Sequence, residues 1–266
     1  MKFINCSIFI IILLAGSCSP KSDPIPPCLL TKKTATYQIG SALSYTTTDT
    51  YTHDTNYSLV TWTQVVTQPS PATNVTYTYT YSYNSGKVVD VKYTFSGSTT
   101  AITSTWTNEN GHLTKVSVPT YLATSLYTYD SQGRLSNWDY TSTSVNFISQ
   151  SKVVTFDANG NLATSKVTEA GSPAVTTTYS GYDSKNNPYA LLARAMGQPY
   201  FFSRLEGFPS DDFLSKNNPG TGSIVTGVPA YTYTYEYNAK GYPTKSIRTE
   251  PFPATLTTLF EYQNCE

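Results

Sequence analysis

The stretch 127-YTYDSQGRLSNW-138 decides how this chain is read. Tyr127 and Tyr129 alternate with threonine, so their rings fall on one face of a strand, because strand side chains alternate with a period of two. Asp130 begins a turn by bonding forward to its own backbone, and Gly133 takes the left-handed conformation that a short hairpin loop needs. Leu135 then returns to the apolar face. The stretch spells one β-hairpin.

The same instruction recurs in 79-YTYSYNSGKVVDV-91, 106-WTNENGHLTKV-116, 154-VTFDANGNLATS-165 and 233-YTYEYNAKGYPTKS-246. The turn residues are Asn84 with Gly86, Gly111, Asp157 with Gly160, and Asn238 with Gly241. Leu113 and Leu162 repeat the role of Leu135. The first four glycines stand about 22–27 residues apart, the signature of a repeat architecture. A sixth unit, 179-YSGYDSKNNPYA-190, has Asn187 in the glycine position, where asparagine is the next most tolerant residue. Stacked hairpins of this kind predict an all-β fold, a curved antiparallel meander forming a single domain over 28–266.

This pattern resembles the YD repeat of the RHS family, whose core is Tyr, Asp, two residues, Gly-Arg-Leu. Tyr129, Asp130, Gly133, Arg134 and Leu135 match it in full, and the likeness runs in diverged form from about 75 to 246. Large RHS proteins close such repeats into a shell around a toxin, and this chain has too few repeats for that. The chain is more similar to small outer-membrane lipoproteins of Gram-negative bacteria with a curved, many-stranded sheet described as porin-like. That resemblance implies an architecture and a location, and no activity.

The N-terminus, 1-MKFINCSIFIIILLAGSCSPKSD-23, supports the location. Lys2 precedes an apolar run from Ile8 to Leu14, too short for a membrane-spanning helix and suited to a signal peptide over 1–17. Ala15-Gly16-Ser17-Cys18 resembles the lipobox of bacterial lipoproteins, with Ala15 where that family usually has Leu. The resemblance implies cleavage before Cys18 and its lipidation, an attachment that several acyl chains make effectively permanent. By the same resemblance, Ser19 in place of Asp favours the outer membrane, with the periplasmic or outer face undetermined. An ordinary secretory signal is the alternative. The Pro-rich 18–27 reads as an extended tether.

Charged residues make up 13% of the chain, about half the usual share, and lysine plus arginine equals aspartate plus glutamate at 17 each. No general basic field is available to attract nucleic acid. The 23 tyrosines and the abundant threonines are strand formers. Once the signal carries Cys6 away and Cys18 takes lipid, Cys28 and Cys265 remain as a candidate disulfide in an oxidising compartment. Two unpaired thiols at the ends of the body are the alternative. No further ligand joins them, so no metal site is expected.

One segment breaks the rhythm: 188-PYALLARAMGQPYFFSRLEGFPSDDFLSKNNPG-220. Ala190 to Met196 predicts a short helix ended by Gly197 and Pro199. With Tyr200, Phe201, Phe202 and Phe213 the insertion reads as a hydrophobic cap on one face of the sheet, or as the lining of a ligand cleft. The paired KNNP turns at 185–188 and 216–219 mark its two ends.

Chemistry is sparse. His53 and His112 lack motif context. Asp211-Asp212 with Glu206 is the kind of acidic group that can serve a glycosidase but that any chain of this length offers. No nucleophile elbow, metal helix or phosphate loop is present, and no catalytic residue or cofactor is expected. A non-catalytic scaffold making structural or protein contacts is the leading reading. The alternative is a module binding a glycan or small ligand through exposed Tyr79, Tyr81, Tyr233 and Tyr235 and the insertion. An enzyme ranks last.

Overall fold

The computed structural model describes residues 27–69, 72–144, 147–224 and 228–265; the expected signal peptide, Cys18 and the expected tether as far as 26 lie outside them. Eight strands form the first half: β1 (Leu29–Ile39), β2 (Ala42–His53), β3 (Leu59–Pro69), β4 (Ala72–Asn84), β5 (Lys87–Phe95), β6 (Ile102–Glu109), β7 (His112–Val118) and β8 (Ala123–Tyr129). The second half contains β9 (Leu135–Ser142), β10 (Gln150–Phe156), β11 (Leu162–Glu169), β12 (Val175–Ser180), helix α1 (Tyr189–Ala195), β13 (Thr221–Ile224), β14 (Val228–Tyr237), β15 (Pro243–Thr249) and β16 (Ala254–Gln263).

Every strand pairs antiparallel with its chain neighbours, and β16 pairs with β1 from Leu29 opposite Gln263 to Ile39 opposite Ala254. The meander therefore closes into a sixteen-strand barrel instead of staying an open curved sheet. Closure pairs the two long edge strands that an open sheet would leave exposed. Cys28 and Cys265 are joined by a disulfide beside this seam.

Alternation of strand direction sorts the turns into two rims. One, the turn rim, holds both chain ends and all the repeat turns, including Gly86, Gly111, Gly133, Gly160 and Gly241, each with positive φ. At Asp130, Asp157 and Asn238 the side-chain oxygen accepts the backbone N–H groups two and four residues on, at 2.8–3.1 Å. Asn84 makes no such pair: Ser85 and Gly86 both adopt positive φ and close a tight two-residue turn, as Asn110 and Gly111 also do. Asp54 follows the aspartate pattern through Asn56 and Ser58, with Tyr57 at φ 64° in the glycine position.

The residue before the turn links one hairpin to the last. The hydroxyls of Tyr83, Tyr129, Tyr182 and Tyr262 donate to the carbonyls of Leu59, Leu113, Leu162 and Pro243 at 2.6–2.8 Å. Each acceptor is the first or second residue after the preceding turn. Asn108 does the same with its amide, donating to the Val88 carbonyl at 2.7 Å. Where the repeat has Phe156, Tyr200 of the insertion stacks on the ring at 6.2 Å. Tyrosine and aspartate of the repeat thus have separate tasks: one ties hairpins together, the other shapes the turn.

Tyrosine faces inward and threonine outward. Along β14 the half-buried Tyr231, Tyr233 and Tyr235 alternate with exposed Thr232, Thr234 and Glu236. Outer-wall threonines align across strands, with Thr50 opposite Thr63 and Thr63 opposite Thr78. The inner face carries Trp62, Trp106, Leu113, Tyr127, Leu135, Trp138 and Leu162, all buried.

The insertion packs its apolar residues on one face of the sheet, the inner one, and enters the lumen from the turn rim. Its helix spans Tyr189–Ala195, one residue earlier than the sequence indicates. Asn187 does not substitute for the glycine of a hairpin, because the chain leaves the wall here; its amide donates to the Asp212 carbonyl at 2.8 Å. Gly197 crosses the Gly86 turn so closely that a Cβ would sit 2.0 Å from the Gly86 carbonyl oxygen. Phe201 and Phe202 are fully buried mid-lumen against Trp62, Trp106 and Tyr127. Ser203 and Phe208 pair as a small hairpin whose tip points to the opposite rim, the mouth. The returning arm is fastened by buried Lys152, which donates to the Pro209 carbonyl at 2.7 Å and pairs with Asp211 at 2.8 Å.

Two stability measurements follow from these contacts. Replacing Cys28 and Cys265 with serine lowers the unfolding free energy by about 2–4 kcal/mol, and a reductant does the same to the parent chain in a denaturant titration. Tyr127→Phe removes the donor to the Gly207 carbonyl, 2.6 Å away in the core. It costs about 1–3 kcal/mol, read from the urea midpoint at unchanged slope.

Candidate functional site: the barrel mouth

The plug fills the turn-rim end and stops short of the mouth. Two clefts of about 350 Å³ each remain there, sharing Phe147, Arg204 and Glu206. The hairpin tip is the partition between them. Val66, Tyr77, Tyr79, Tyr93 and Tyr121 line one side, and Trp138, Tyr140, Ile148 and Phe208 line the other.

The tip is held by its backbone. Ser125 and Tyr127, both inward residues of β8, donate their hydroxyls to the carbonyls of Glu206 and Gly207 at 2.7 and 2.6 Å. Gly207 has φ 65°, and a Cβ there would meet the Tyr127 hydroxyl at 2.3 Å. Arg204 has φ 62°, a left-handed conformation that costs a residue with a side chain of order 1–3 kcal/mol. With the main chain fixed, the side chains of Arg204 and Glu206 project into the clefts. Neither forms an ion pair among the described residues; the Arg204 guanidinium lies 5.5 Å from the centre of the Phe208 ring.

Glu206 sits among phenols. Burial raises the hydroxyls of Tyr79, Tyr121 and Tyr140 above the usual tyrosine range, and the Glu206 carboxylate adds to each. Burial pushes Tyr93 up to about 12, with Tyr121, Tyr77 and Glu206 contributing. These hydroxyls therefore stay protonated and serve as donors around one carboxylate. The rings are ordered as well: Tyr77 and Tyr93 lie nearly parallel at 6.1 Å and 13°, Trp138 and Tyr140 at 6.0 Å and 22°.

The tyrosines singled out from the sequence are dispersed. Tyr79 borders a mouth cleft at 7% exposure, and Tyr81 is buried at 5%, so neither ring offers an outer stacking surface. Tyr233 and Tyr235 face inward onto a cavity of about 60 Å³, with Asp212 and Arg248, between the plug and β14–β16. Asp211 is taken by Lys152 and by the Tyr179 hydroxyl at 2.8 Å, well apart in role from Glu206. His112 packs on Tyr129 at 4.5 Å, and burial lowers His53. Sequence reasoning missed Tyr77, Tyr93, Tyr121, Trp138, Tyr140 and Arg204 as one group. They come from separate repeats, and only closure of the barrel brings them to one mouth.

No family model matches the sequence, and no curated protein does. Solved structures do. A porin-like protein from Bacteroides uniformis superposes with TM-score 0.58 at 14% identity, covering 90% of this chain and 99% of that one. A porin-like protein from Bacteroides vulgatus gives TM-score 0.44 at 14% identity, covering 89% and 99%. The Photorhabdus luminescens Tc holotoxin pore gives 0.32 at 13% identity, with 79% of this chain against 13% of that one. The first of these establishes a shared fold over nearly the whole chain, and at 14% identity the likeness is one of architecture alone.

Proposed function

We propose that this chain is a non-catalytic, lipid-anchored protein of the cell envelope whose barrel stands in water as a scaffold with a binding mouth, and is not a pore. The observation that carries the reading is the polarity of the wall. A membrane-spanning barrel turns an apolar band outward and a polar lumen inward. This barrel departs from that pattern: exposed Lys92, Lys115 and Lys166 stand mid-wall among outward threonines and scattered exposed Leu126, Val153 and Leu259, while the lumen holds the tryptophans and the plug. A lysine at the midplane of a bilayer would cost about 2–4 kcal/mol.

The lipobox-like Cys18 supplies the attachment that such a wall lacks. Its tether leads to Cys28 at the turn rim, so the plugged end faces the membrane and the mouth faces away. At the mouth Glu206 is the one carboxylate among the described lining residues, whereas glycoside hydrolysis uses a pair.

Fractionation of cells expressing the full chain tests this. Cys18→Ser abolishes labelling by an alkyne-bearing fatty acid and moves the protein from the membrane fraction to the detergent-free soluble fraction. Retention of Cys18→Ser in the membrane, resistant to carbonate extraction, would show a spanning barrel and overturn the reading.

A further inference from the structure

We infer that the two mouth clefts are a single binding site for an uncharged oligosaccharide, its sugar rings seated on either side of the Arg204–Glu206 tip. The inference deepens the proposed binding role of the mouth and rests on that reading.

The argument begins with shape. Each cleft, at about 350 Å³, lies near the lower end of the range for small-molecule sites. Because they share Phe147, Arg204 and Glu206, a ligand in one touches residues that line the other. A linear chain of rings satisfies both clefts, whereas one compact ligand fills only one.

Surface chemistry narrows the class. The half-buried rings of Tyr77, Tyr93 and Tyr121 line one cleft, and those of Phe147 and Phe208 line the other. Flat aromatic faces carry negative quadrupole density and attract polarised C–H groups. A pyranose offers such a C–H face on one side and hydroxyls around its edge. The edge finds partners here: Glu206 accepts, Arg204 donates, Gln64 and Gln150 do both, and the protonated phenols donate. A lipid tail would leave these polar groups unpaired.

Charge decides the rest. Arg204 and Glu206 are the two charged groups among the described lining residues, and they cancel. A carboxylated or phosphorylated ligand gains from the arginine and loses against the glutamate, and a cation does the reverse. An uncharged polyol uses both as hydrogen-bonding groups, each stronger than a neutral partner.

Rigidity supports a built site. The left-handed φ of Arg204 and the two β8 hydroxyls that grip the tip fix the main chain that carries the polar pair before any ligand arrives. Binding groups held in place by the fold lose little freedom on binding.

The test is calorimetric titration of the Cys18→Ser full chain with unbranched hexaoses of glucose, mannose, galactose and N-acetylglucosamine. Hexagalacturonate and tetraethylammonium serve as charged probes. The expected result is saturable binding of at least one neutral hexaose in preference to its monosaccharide and to both charged probes. Tyr93→Ala and Glu206→Gln each weaken it about tenfold or more, while the outer-wall Thr234→Ala leaves it unchanged. Glu206→Gln removes no packing, so it keeps the test open should Tyr93→Ala fail to fold. Absence of neutral-sugar binding, preference for a charged probe, or indifference to Glu206→Gln would each overturn the inference. Fractionation reads the water-facing barrel separately, so a soluble protein that ignores sugars refutes this site and leaves that reading standing.

Discussion

A long loop buried inside a barrel must find hydrogen-bond partners for its own backbone, and this constraint governs the molecule. Irregular segments normally run over the surface because water satisfies them there. The 188–220 insertion has no such recourse. Its carbonyls are met by the wall: Tyr127 reaches Gly207, Ser125 reaches Glu206, Tyr235 reaches Pro219, and Lys152 reaches Pro209. A phenylalanine wall would bury as much area and leave these groups unpaired. Tyrosine suits this wall, since its ring supplies apolar surface and its hydroxyl supplies a donor at the end of a rigid arm.

The plug is in turn what lets the wall exist as an apolar-lined cylinder. Eight strands enclose a lumen that side chains can just fill, while sixteen leave a channel. Tryptophans on the inner face of so wide a barrel would be wetted unless something occupied the space. Phe201, Phe202, Leu192, Met196 and Leu214 occupy it, all at 0–1% exposure. Wall and plug are therefore one core, and neither is a folding unit without the other. The core is also asymmetric along the axis, packed from the turn rim to the middle and thin towards the mouth.

This explains which parts of the structure were legible in the sequence. The turns were, because Asp130-Ser131-Gln132-Gly133 states a local conformation that needs no distant partner. The turn at Asp54 was hidden because Tyr57 occupies the left-handed position, a cost that local sequence gives no reason to expect. Closure was hidden too: β1 and β16 are as far apart in sequence as the body allows, and their pairing depends on accumulated sheet curvature. The facing of tyrosine and threonine was ambiguous because either suits a half-buried strand surface. Closure around the plug, whose phenylalanines pack on the inward rings, is what turns tyrosine in, and that closure is not local. The mouth could not be assembled in advance for the same reason, as its aromatics come from three strands, two loops and the insertion.

The same alternation that builds the core also sets what the outer wall presents. In a strand of period two, choosing tyrosine for the lumen leaves every other position to the exterior, and the repeat writes threonine there. Thr50, Thr63 and Thr78 form one outward row across three strands. Threonine keeps β propensity while presenting a hydroxyl, so the wall remains a good sheet in water and a poor one in lipid. The proposed attachment at Cys18 fits such an exterior, because lysines on the outer wall disfavour a bilayer and an anchor outside the fold places no demand on the wall. The plug closes the turn-rim end of the lumen, and the thinly packed aromatic end is the mouth.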